Sequence, residues 1–203
     1  MSAASSGSLA VVDYRAGNLT SVVKALRFLG AAPEVTSDPD VVARASKVVL
    51  PGVGHFAATQ FLRERGLTEA IWSSTKRGTP FLGICVGLQW MFEGSTEAHD
   101  VAGAGILKGK CERFATIRKV PHVGWNSLSI RPNSRLMEGV DEGAYAYFTH
   151  SYRAELQTDT VAVTEYGGLF TAAIEADNIM GVQFHPEKSG KAGLTILKNF
   201  LKL

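Results

Sequence analysis

Short apolar runs alternate with helical periodicity over the first part of the chain. Leu9–Val12, 47–51 and 80–84 are apolar stretches that end at polar or Gly-rich positions, as strands buried in a parallel sheet do. Between the first two, apolar residues recur every three or four positions over 19–29 and stop at Gly30, which predicts an amphipathic helix. Further helical patterns lead up to the third strand and follow it. The alternation predicts a mostly parallel sheet covered by helices.

The pattern changes after about residue 105. Five short strand-like stretches separated by turns follow, at 110–118, 125–130, 145–150, 161–166 and 170–175. This part is expected to be antiparallel or mixed. A last apolar strand at 180–184 precedes Ser189, an acceptable N-cap, and a helix whose apolar residues share one face. The expected fold is a single three-layer α/β domain over 9–203, after a flexible segment at 1–8.

Composition and charge then narrow the class of protein. The 203 residues are 45% hydrophobic and 20% charged, which are globular values, and 21 basic residues nearly balance 19 acidic ones. No basic cluster predicts a nucleic-acid partner, and no apolar run approaches the roughly 20 residues of a membrane span. The N-terminus lacks the features of a signal peptide. These observations predict a cytoplasmic protein.

The sharpest candidate for chemistry is Gly83-Ile84-Cys85-Val86-Gly87, which follows a predicted strand and precedes a helix. Its form is that of a nucleophile elbow, where two glycines permit a tight turn and lift the central side chain above the sheet edge. A thiol at a helix N-terminus is favoured as thiolate, and the Val86 N–H could stabilise an oxyanion. The alternative is a small buried cysteine of the core, which the flanking glycines make less favourable.

A proton shuttle for this thiol could come from His185 and Glu187, which lie just after the last strand. In extended backbone, residues two apart point the same way, so the carboxylate could orient the imidazole as the third member of a triad. Pro51-Gly52-Val53-Gly54 is a second Gly-rich turn, whose N–H groups could reach an oxyanion; without a following Gly-Lys-Ser/Thr it is no phosphate loop.

The remaining cysteine and histidines suggest no further centre. Cys111 lies in a predicted strand without flanking glycines and is expected to be structural, and the two cysteines form no CxxC motif. The histidines show no metal-ligand spacing with one another or with either cysteine. We therefore expect neither a metal site nor a cofactor.

Six separated blocks, in order, resemble those of the class I (triad) glutamine amidotransferases. Within that group they look like the glutaminase subunits of imidazole glycerol phosphate synthases. Two positions depart from the usual pattern, Arg15 in place of Gly and Val86 in place of Leu. The blocks are Asp13-Tyr-Arg-Ala-Gly-Asn18, Pro51 to Phe56, Gly83 to Gln89, Pro121-His-Val-Gly-Trp-Asn126, Thr149-His-Ser-Tyr152 and Phe184 to Ser189.

The resemblance implies a role for each matched position. Cys85 would attack the side-chain amide of glutamine, His185 would protonate the departing ammonia, and Glu187 would complete the triad. The oxyanion would be stabilised by N–H groups from the Gly52-Val53 peptide and Val86. Glutamine would be held by Gln89, Glu97, His150 and Ser151. A partner subunit would contact Tyr14, Asn18, His122, Trp125, Asn126 and Lys188. From sequence alone, Tyr14 and Trp125 could equally be aromatic residues of the core.

The resemblance also implies that ammonia passes to a (β/α)₈-barrel cyclase in a heterodimer. The cyclase would make imidazole glycerol phosphate and an aminoimidazole carboxamide ribotide for histidine and purine synthesis. We expect the isolated subunit to hold the Val53 N–H turned away from the site, so that activity requires the partner. Three alternatives stay open, namely a glutaminase subunit of another amidotransferase, an independent Cys hydrolase of γ-glutamyl substrates, and a non-enzymatic binding module.

Overall fold

The structure, a computed structural model, describes residues 8–16 and 18–203, and the predicted segment 1–8 lies almost wholly outside that part. Thirteen strands occur in the described part, and their bounds are given in chain order. They are β1 (Leu9–Val12), β2 (Pro33–Thr36), β3 (Lys47–Gly52), β4 (Phe81–Cys85), β5 (Gly94–Ser95), β6 (Lys110–Arg113), β7 (His122–Ser127), β8 (Ser129–Ile130), β9 (Tyr145–His150), β10 (Tyr152–Arg153), β11 (Thr160–Glu165), β12 (Leu169–Ala176) and β13 (Ile179–Val182).

Six α-helices and two 3₁₀ turns occupy the connections in the same described residues. The helices are α1 (Leu19–Phe28), α2 (Pro39–Arg44), α3 (Gln60–Glu64), α4 (Leu67–Lys76), α5 (Val86–Trp90) and α6 (Gly190–Lys202). The 3₁₀ turns are Phe56–Thr59 and Pro186–Lys188. The helices α2 and α4 contact each other, while α1 and α6 both contact the second 3₁₀ turn. Among these helices, none combines the length and the apolar character that crossing a bilayer requires.

The main sheet has eight strands in the order β2-β1-β3-β4-β13-β12-β11-β8. The strands from β2 to β13 pair in parallel, and β12, β11 and β8 extend the sheet with antiparallel pairs. Two smaller sheets stand apart from it, β10-β6-β5 and the antiparallel pair β7-β9. The predicted architecture, a mostly parallel sheet with a mixed second part, is confirmed.

Several predicted elements differ from those observed. The stretch 125–130, expected to be one strand, divides between β7, which pairs with β9, and β8, which joins the main sheet. The stretch predicted as a strand at 110–118 ends at Arg113. The strand β2 was not predicted, because it contains no apolar run. It lies at the edge of the sheet, where Glu34 and Val35 are exposed.

The parallel register brings the candidate residues to one edge of the sheet. Gly52 at the end of β3 lies opposite Cys85 at the end of β4, and Val182 at the end of β13 lies opposite Ile84. Ligand sites of open α/β sheets lie at the carboxyl ends of their strands. The elbow, the Gly52 loop and the segment that contains His185 therefore converge at that edge.

Candidate active site

Cys85 lies in a strained turn between β4 and α5. Its backbone has φ 55° and ψ −106°, a conformation that L residues adopt only at a cost. The glycines that flank it are required by packing. A Cβ on Gly83 would lie 2.6 Å from the carbonyl oxygen of Gly87, and a Cβ on Gly87 would overlap the carbonyl oxygen of Leu50. The turn thus has the form of a nucleophile elbow and holds the sulfur at the sheet edge.

His185 and Glu187 form a buried pair beside this cysteine. The Nδ1 atom of His185 lies 2.9 Å from Oε1 of Glu187, and each side chain is 1% exposed. Since a carboxylate can only accept, Nδ1 carries the hydrogen, and Nε2, a buried atom with no hydrogen-bond partner among the described residues, is left for Cys85. Burial lowers the pKa of His185, but the contacts with Cys85 and Glu187 outweigh it and raise that pKa to about 9. The imidazole of His185 therefore binds a proton near neutral pH.

A cavity of about 260 Å³ opens over the sulfur. Cys85, Val86 and Val53 line it, so the predicted nucleophile and two of the predicted oxyanion residues share one space. The four residues predicted to hold glutamine also line it, namely Gln89, Glu97, His150 and Ser151. Glu97 accepts a hydrogen bond from the N–H of Phe56 at 2.8 Å, which ties it to the Gly-rich loop. The structure thus brings these predicted site residues together around one cavity.

Sequence reasoning missed one polar residue of this site, Gln183. It is fully buried, and its Nε2 donates to the Cys85 sulfur at 3.6 Å. Its Oε1 accepts from Nε2 of Gln89 at 3.1 Å. One signal was available, because Gln183 is the only polar side chain within the apolar stretch 180–184. A buried amide needs partners, which points to a polar site beside that strand.

The residues predicted to face a partner divide into two groups. Trp125 is 55% exposed, Lys188 is exposed, and Asn18 and Asn126 are half-buried. The other two, Tyr14 and His122, are buried within this chain, and their contact with a partner stays a prediction. Tyr14 is 1% exposed and His122 is 3% exposed.

Different packing buries each of these two side chains. The hydroxyl of Tyr14 lies in the space that a Cβ on Gly52 would occupy, and burial raises its pKa. His122 points inward because side chains alternate along β7, which leaves Val123 and Trp125 outside. The ring of His122 is stacked between Tyr166 and Phe148.

His122 also belongs to a hydrogen-bonded chain that reaches the cavity. The Nδ1 atom of His150 donates to the carbonyl of Tyr152 at 2.8 Å, so its Nε2 accepts from Nδ1 of His122 at 3.2 Å. Nε2 of His122 then accepts from Asn126 at 3.3 Å. Burial lowers the pKa of His150 to about 3 and that of His122 to about 4. Both rings are therefore neutral near pH 7.

The second cysteine has a different environment. Cys111 lies in the strand β6, is fully buried, and its thiol donates a hydrogen bond to the carbonyl of Gln89 at 3.9 Å. Burial raises the pKa of this thiol, which disfavours the reactive thiolate. Cys111 therefore has the environment of a structural residue.

Comparison with known proteins agrees with this geometry. The family described as glutamine amidotransferase class-I matches residues 10–203. The chain belongs to the class I glutamine amidotransferase family.

Curated relatives are similar along nearly their whole length. The chain is 47% identical over 196 residues to imidazole glycerol phosphate synthase subunit HisH of Methanothermobacter thermautotrophicus, covering 96% of this chain and 98% of that one. It is 48% identical over 200 residues to the HisH subunit of Herpetosiphon aurantiacus, covering 96% and 94%.

Solved structures show the same fold at low sequence identity. A structure described as a glutamine amidotransferase matches with a TM-score of 0.76 at 18% identity, covering 97% of this chain and 100% of that one. The structure of PurLQS from Thermotoga maritima matches with a TM-score of 0.71 at 19% identity, covering 97% and 98%. The expected three-layer class I fold is thereby confirmed.

Proposed function

We propose that this chain is the glutaminase subunit of an imidazole glycerol phosphate synthase and acts in histidine biosynthesis. It hydrolyses glutamine to glutamate and ammonia, and the ammonia serves a cyclase subunit. The observation that carries the proposal is the strained Cys85, which lines the cavity and lies beside the buried His185–Glu187 pair. Near-full-length similarity to HisH subunits supports the particular synthase.

In the proposed mechanism each member of the triad has a separate role. The Cys85 thiol passes its proton to Nε2 of His185, and the resulting thiolate attacks the side-chain carbonyl carbon of glutamine and forms a tetrahedral oxyanion. His185 gives its Nε2 proton to the departing ammonia, which leaves a γ-glutamyl thioester. The neutral imidazole then accepts a proton from water, whose oxygen attacks the thioester and releases glutamate and the thiol. Glu187 keeps the ring in the required tautomer throughout.

The oxyanion is stabilised by backbone N–H groups. The N–H of Val86 follows the nucleophile at the start of α5, and Val53 lies on the opposing loop. Both residues line the cavity, which supports their use as a pair. We keep the proposal that the Gly52-Val53 peptide turns its N–H into the site only when the partner binds.

The glutamine-binding set is proposed from the same cavity. Nε2 of Gln89 donates to the Tyr152 carbonyl at 3.0 Å and to Gln183. These two bonds use both of its hydrogens, so only Oε1 is left to face a substrate, and it can accept from an ammonium or amide group. Glu97 can pair with an α-ammonium group, while Ser151 can donate to a carboxylate.

The outer face of the β7-β9 pair is the proposed docking surface for a (β/α)₈-barrel cyclase. Val123, Trp125 and Tyr145 are exposed there at 56%, 55% and 61%. Trp125 packs edge-on against Tyr147, and the Lys188 ammonium lies over the Tyr147 ring at 5.7 Å. An exposed apolar cluster of this kind marks a protein-binding surface. Asn18 and Asn126, both half-buried, are proposed to border this surface, and His122 packs on its inner side against Phe148 of β9.

The docking surface is tied to the triad through the backbone. The N–H of His185 donates to the carbonyl of Tyr147 at 2.9 Å. The N–H of Tyr147 donates to the Ser189 hydroxyl at 3.0 Å, and that hydroxyl donates to the His185 carbonyl at 2.6 Å. A partner that shifts the strand β9 would therefore shift the triad histidine. The ammonia reaches the cyclase at this side of the molecule, where docking would shield it from protonation by water.

We also propose a cytoplasmic location. Cys85 and Cys111 are both free thiols, as is expected of a protein from a reducing compartment.

The two cysteines give a matched test of the proposed function. Cys85→Ala should abolish ammonia release from glutamine in the presence of the cyclase subunit, while Cys111→Ser should retain it. The γ-glutamyl thioester should be trapped on Cys85 and detected by mass spectrometry after rapid acid quenching. Full turnover by Cys85→Ala would overturn the proposal. Turnover that is equally fast without any partner would instead favour an independent hydrolase.

A further inference from the structure

The carboxamide of Gln183 lies between the sulfur of Cys85 and the side-chain amide of Gln89. It is fully buried, and all of its side-chain hydrogen bonds are with Cys85 and Gln89 among the described residues. Its backbone N–H is used in the sheet, where it donates to Ala172 at 2.8 Å. A buried amide at this position has an energetic cost unless it is fully satisfied.

The orientation of this amide is fixed by its neighbours. The Tyr152 carbonyl can only accept, so Gln89 must direct its NH₂ group toward it. That same NH₂ group faces Gln183, which must therefore present Oε1 to Gln89. The NH₂ group of Gln183 is left to face the Cys85 sulfur. A flip of the amide would set two donors against each other and place an oxygen on the sulfur.

We propose that Gln183 is a positioning residue for the nucleophile, whose N–H···S hydrogen bond stabilises and orients the Cys85 thiolate, with Gln89 fixing the direction of the donor. The inference rests on the proposed role of Cys85 in glutamine hydrolysis. A hydrogen bond to a charged acceptor is stronger than one to a neutral acceptor, so this contact favours the thiolate over the thiol. Gln89 thereby acts on both the substrate and the nucleophile.

Other titratable groups also face the sulfur or its cavity. They are His185 and Tyr14 beside the sulfur, and Glu97, His150 and Tyr152 in the cavity wall. The test leaves all five unchanged, so that a difference between variants reports the loss of the amide donor.

The test is the pH dependence of alkylation of Cys85 by iodoacetamide in the full chain, in a Cys111→Ser background. Gln183→Met keeps the length of the side chain and removes the donor. The pH at which the reaction is half-maximal should rise by about one to two units, as expected when one hydrogen bond to a charged atom is lost. The rate deficit should narrow as the pH rises, because the thiolate then forms without help.

Asn199→Leu is the matched control. Asn199 is also a buried amide, but its Nδ2 donates only to the carbonyls of Leu136 and Glu138, at 3.1 and 2.7 Å. This variant should lose stability and keep the alkylation midpoint of the unaltered chain. If Gln183→Met does not fold, Gln183→Leu replaces it. The thiolate midpoint can then also be measured from the ultraviolet absorbance of the thiolate, with Cys85→Ser as the reference.

The outcomes separate this inference from the proposed function. A midpoint in Gln183→Met or Gln183→Leu equal to that of Asn199→Leu would overturn the role of Gln183, whatever the hydrolytic activity. Full hydrolysis by Cys85→Ala would overturn the proposed function while leaving the alkylation result intact. With both proposals correct, Gln183→Met should also lower kcat for glutamine by about tenfold or more near neutral pH, with a smaller effect on KM.

Discussion

The site buries two histidines next to one cavity and gives them opposite electrostatics. The pKa of His185 is raised to about 9, whereas that of His150 is lowered to about 3. Burial disfavours the charged form of both rings, so the difference comes from their partners. His185 faces a carboxylate and a thiol, while His150 faces the ring of His122 and a backbone carbonyl. A fixed negative partner, rather than burial, makes a histidine a proton carrier at neutral pH.

The largest expected effect comes from removing that negative partner. Glu187→Gln should lower kcat for glutamine by about 10⁴-fold, because the neutral amide neither favours the imidazolium nor selects the Nδ1–H tautomer. Ammonia release in the presence of the cyclase subunit measures this. His122→Gln replaces the ring that donates to His150 and should reduce the rate far less. Comparable losses from both variants would mean that the two histidine sites do not differ in kind.

Partner dependence should give the next largest effect. If the Gly52-Val53 peptide withholds one oxyanion donor in the isolated chain, the cyclase and its nucleotide should raise glutamine hydrolysis at least about 100-fold, the lower cost of one missing donor. Trp125→Ala should weaken this rise more than it changes alkylation of Cys85. Equal hydrolysis by the isolated chain and the assembled pair would show that no such gate exists.

The pH dependence of glutamine hydrolysis tests the raised pKa of His185 at alkaline pH. His185 must be protonated to release ammonia, and its pKa lies above the usual value, so it carries the proton below about pH 9 and loses it above. The rate of hydrolysis by the complex should therefore fall about tenfold per pH unit beyond that point. In Glu187→Gln the residual activity should decline at a lower pH. A profile that stays flat to pH 10 would contradict this assignment.

The smallest effect is on stability in acid. The pKa values of His122 and His150 are lowered on folding, so the unfolded chain binds more protons between about pH 6.5 and pH 4. Their contribution is complete above pH 6.5 and is lost as the pH falls. In that window each ring should lower the free energy of unfolding by about 1.4 kcal/mol for each pH unit of acidification, as measured by urea unfolding. His122→Gln should reduce the slope of unfolding free energy against pH by about this amount. An unchanged slope would contradict the lowered pKa of His122.

The parallel half of the molecule follows closely from local sequence. Gly83 and Gly87 report a turn that only glycines allow, and the packing at both positions shows why. The short apolar runs at 9–12 and 80–84 have no polar face because both faces of those strands are buried. Local pattern and tertiary structure agree there, so the elbow could be placed in advance.

The β7-β9 pair and the buried polar residues near Cys85 were harder to predict. The stretch 125–130 changes sheets at Leu128, and nothing in its pattern marks a change of pairing partner. The resemblance placed Tyr14 and His122 at a partner face, and tertiary packing buries both within the chain. The role of Gln183 depends on its contacts with Cys85 and Gln89, which lie 98 and 94 residues away along the chain and cannot be seen in local sequence.

Because Cys85 has a positive φ, the residue that would be most stable at this position is not the residue that the activity requires. Alanine at this position would keep the backbone cost, whereas glycine would relieve it, at the loss of the sulfur. A library of variants enriched for resistance to heat alone should therefore accumulate Cys85→Gly, and the enriched pool would be both more durable and inert. Thermostabilisation of this enzyme needs a counter-selection for glutamine turnover at that one codon.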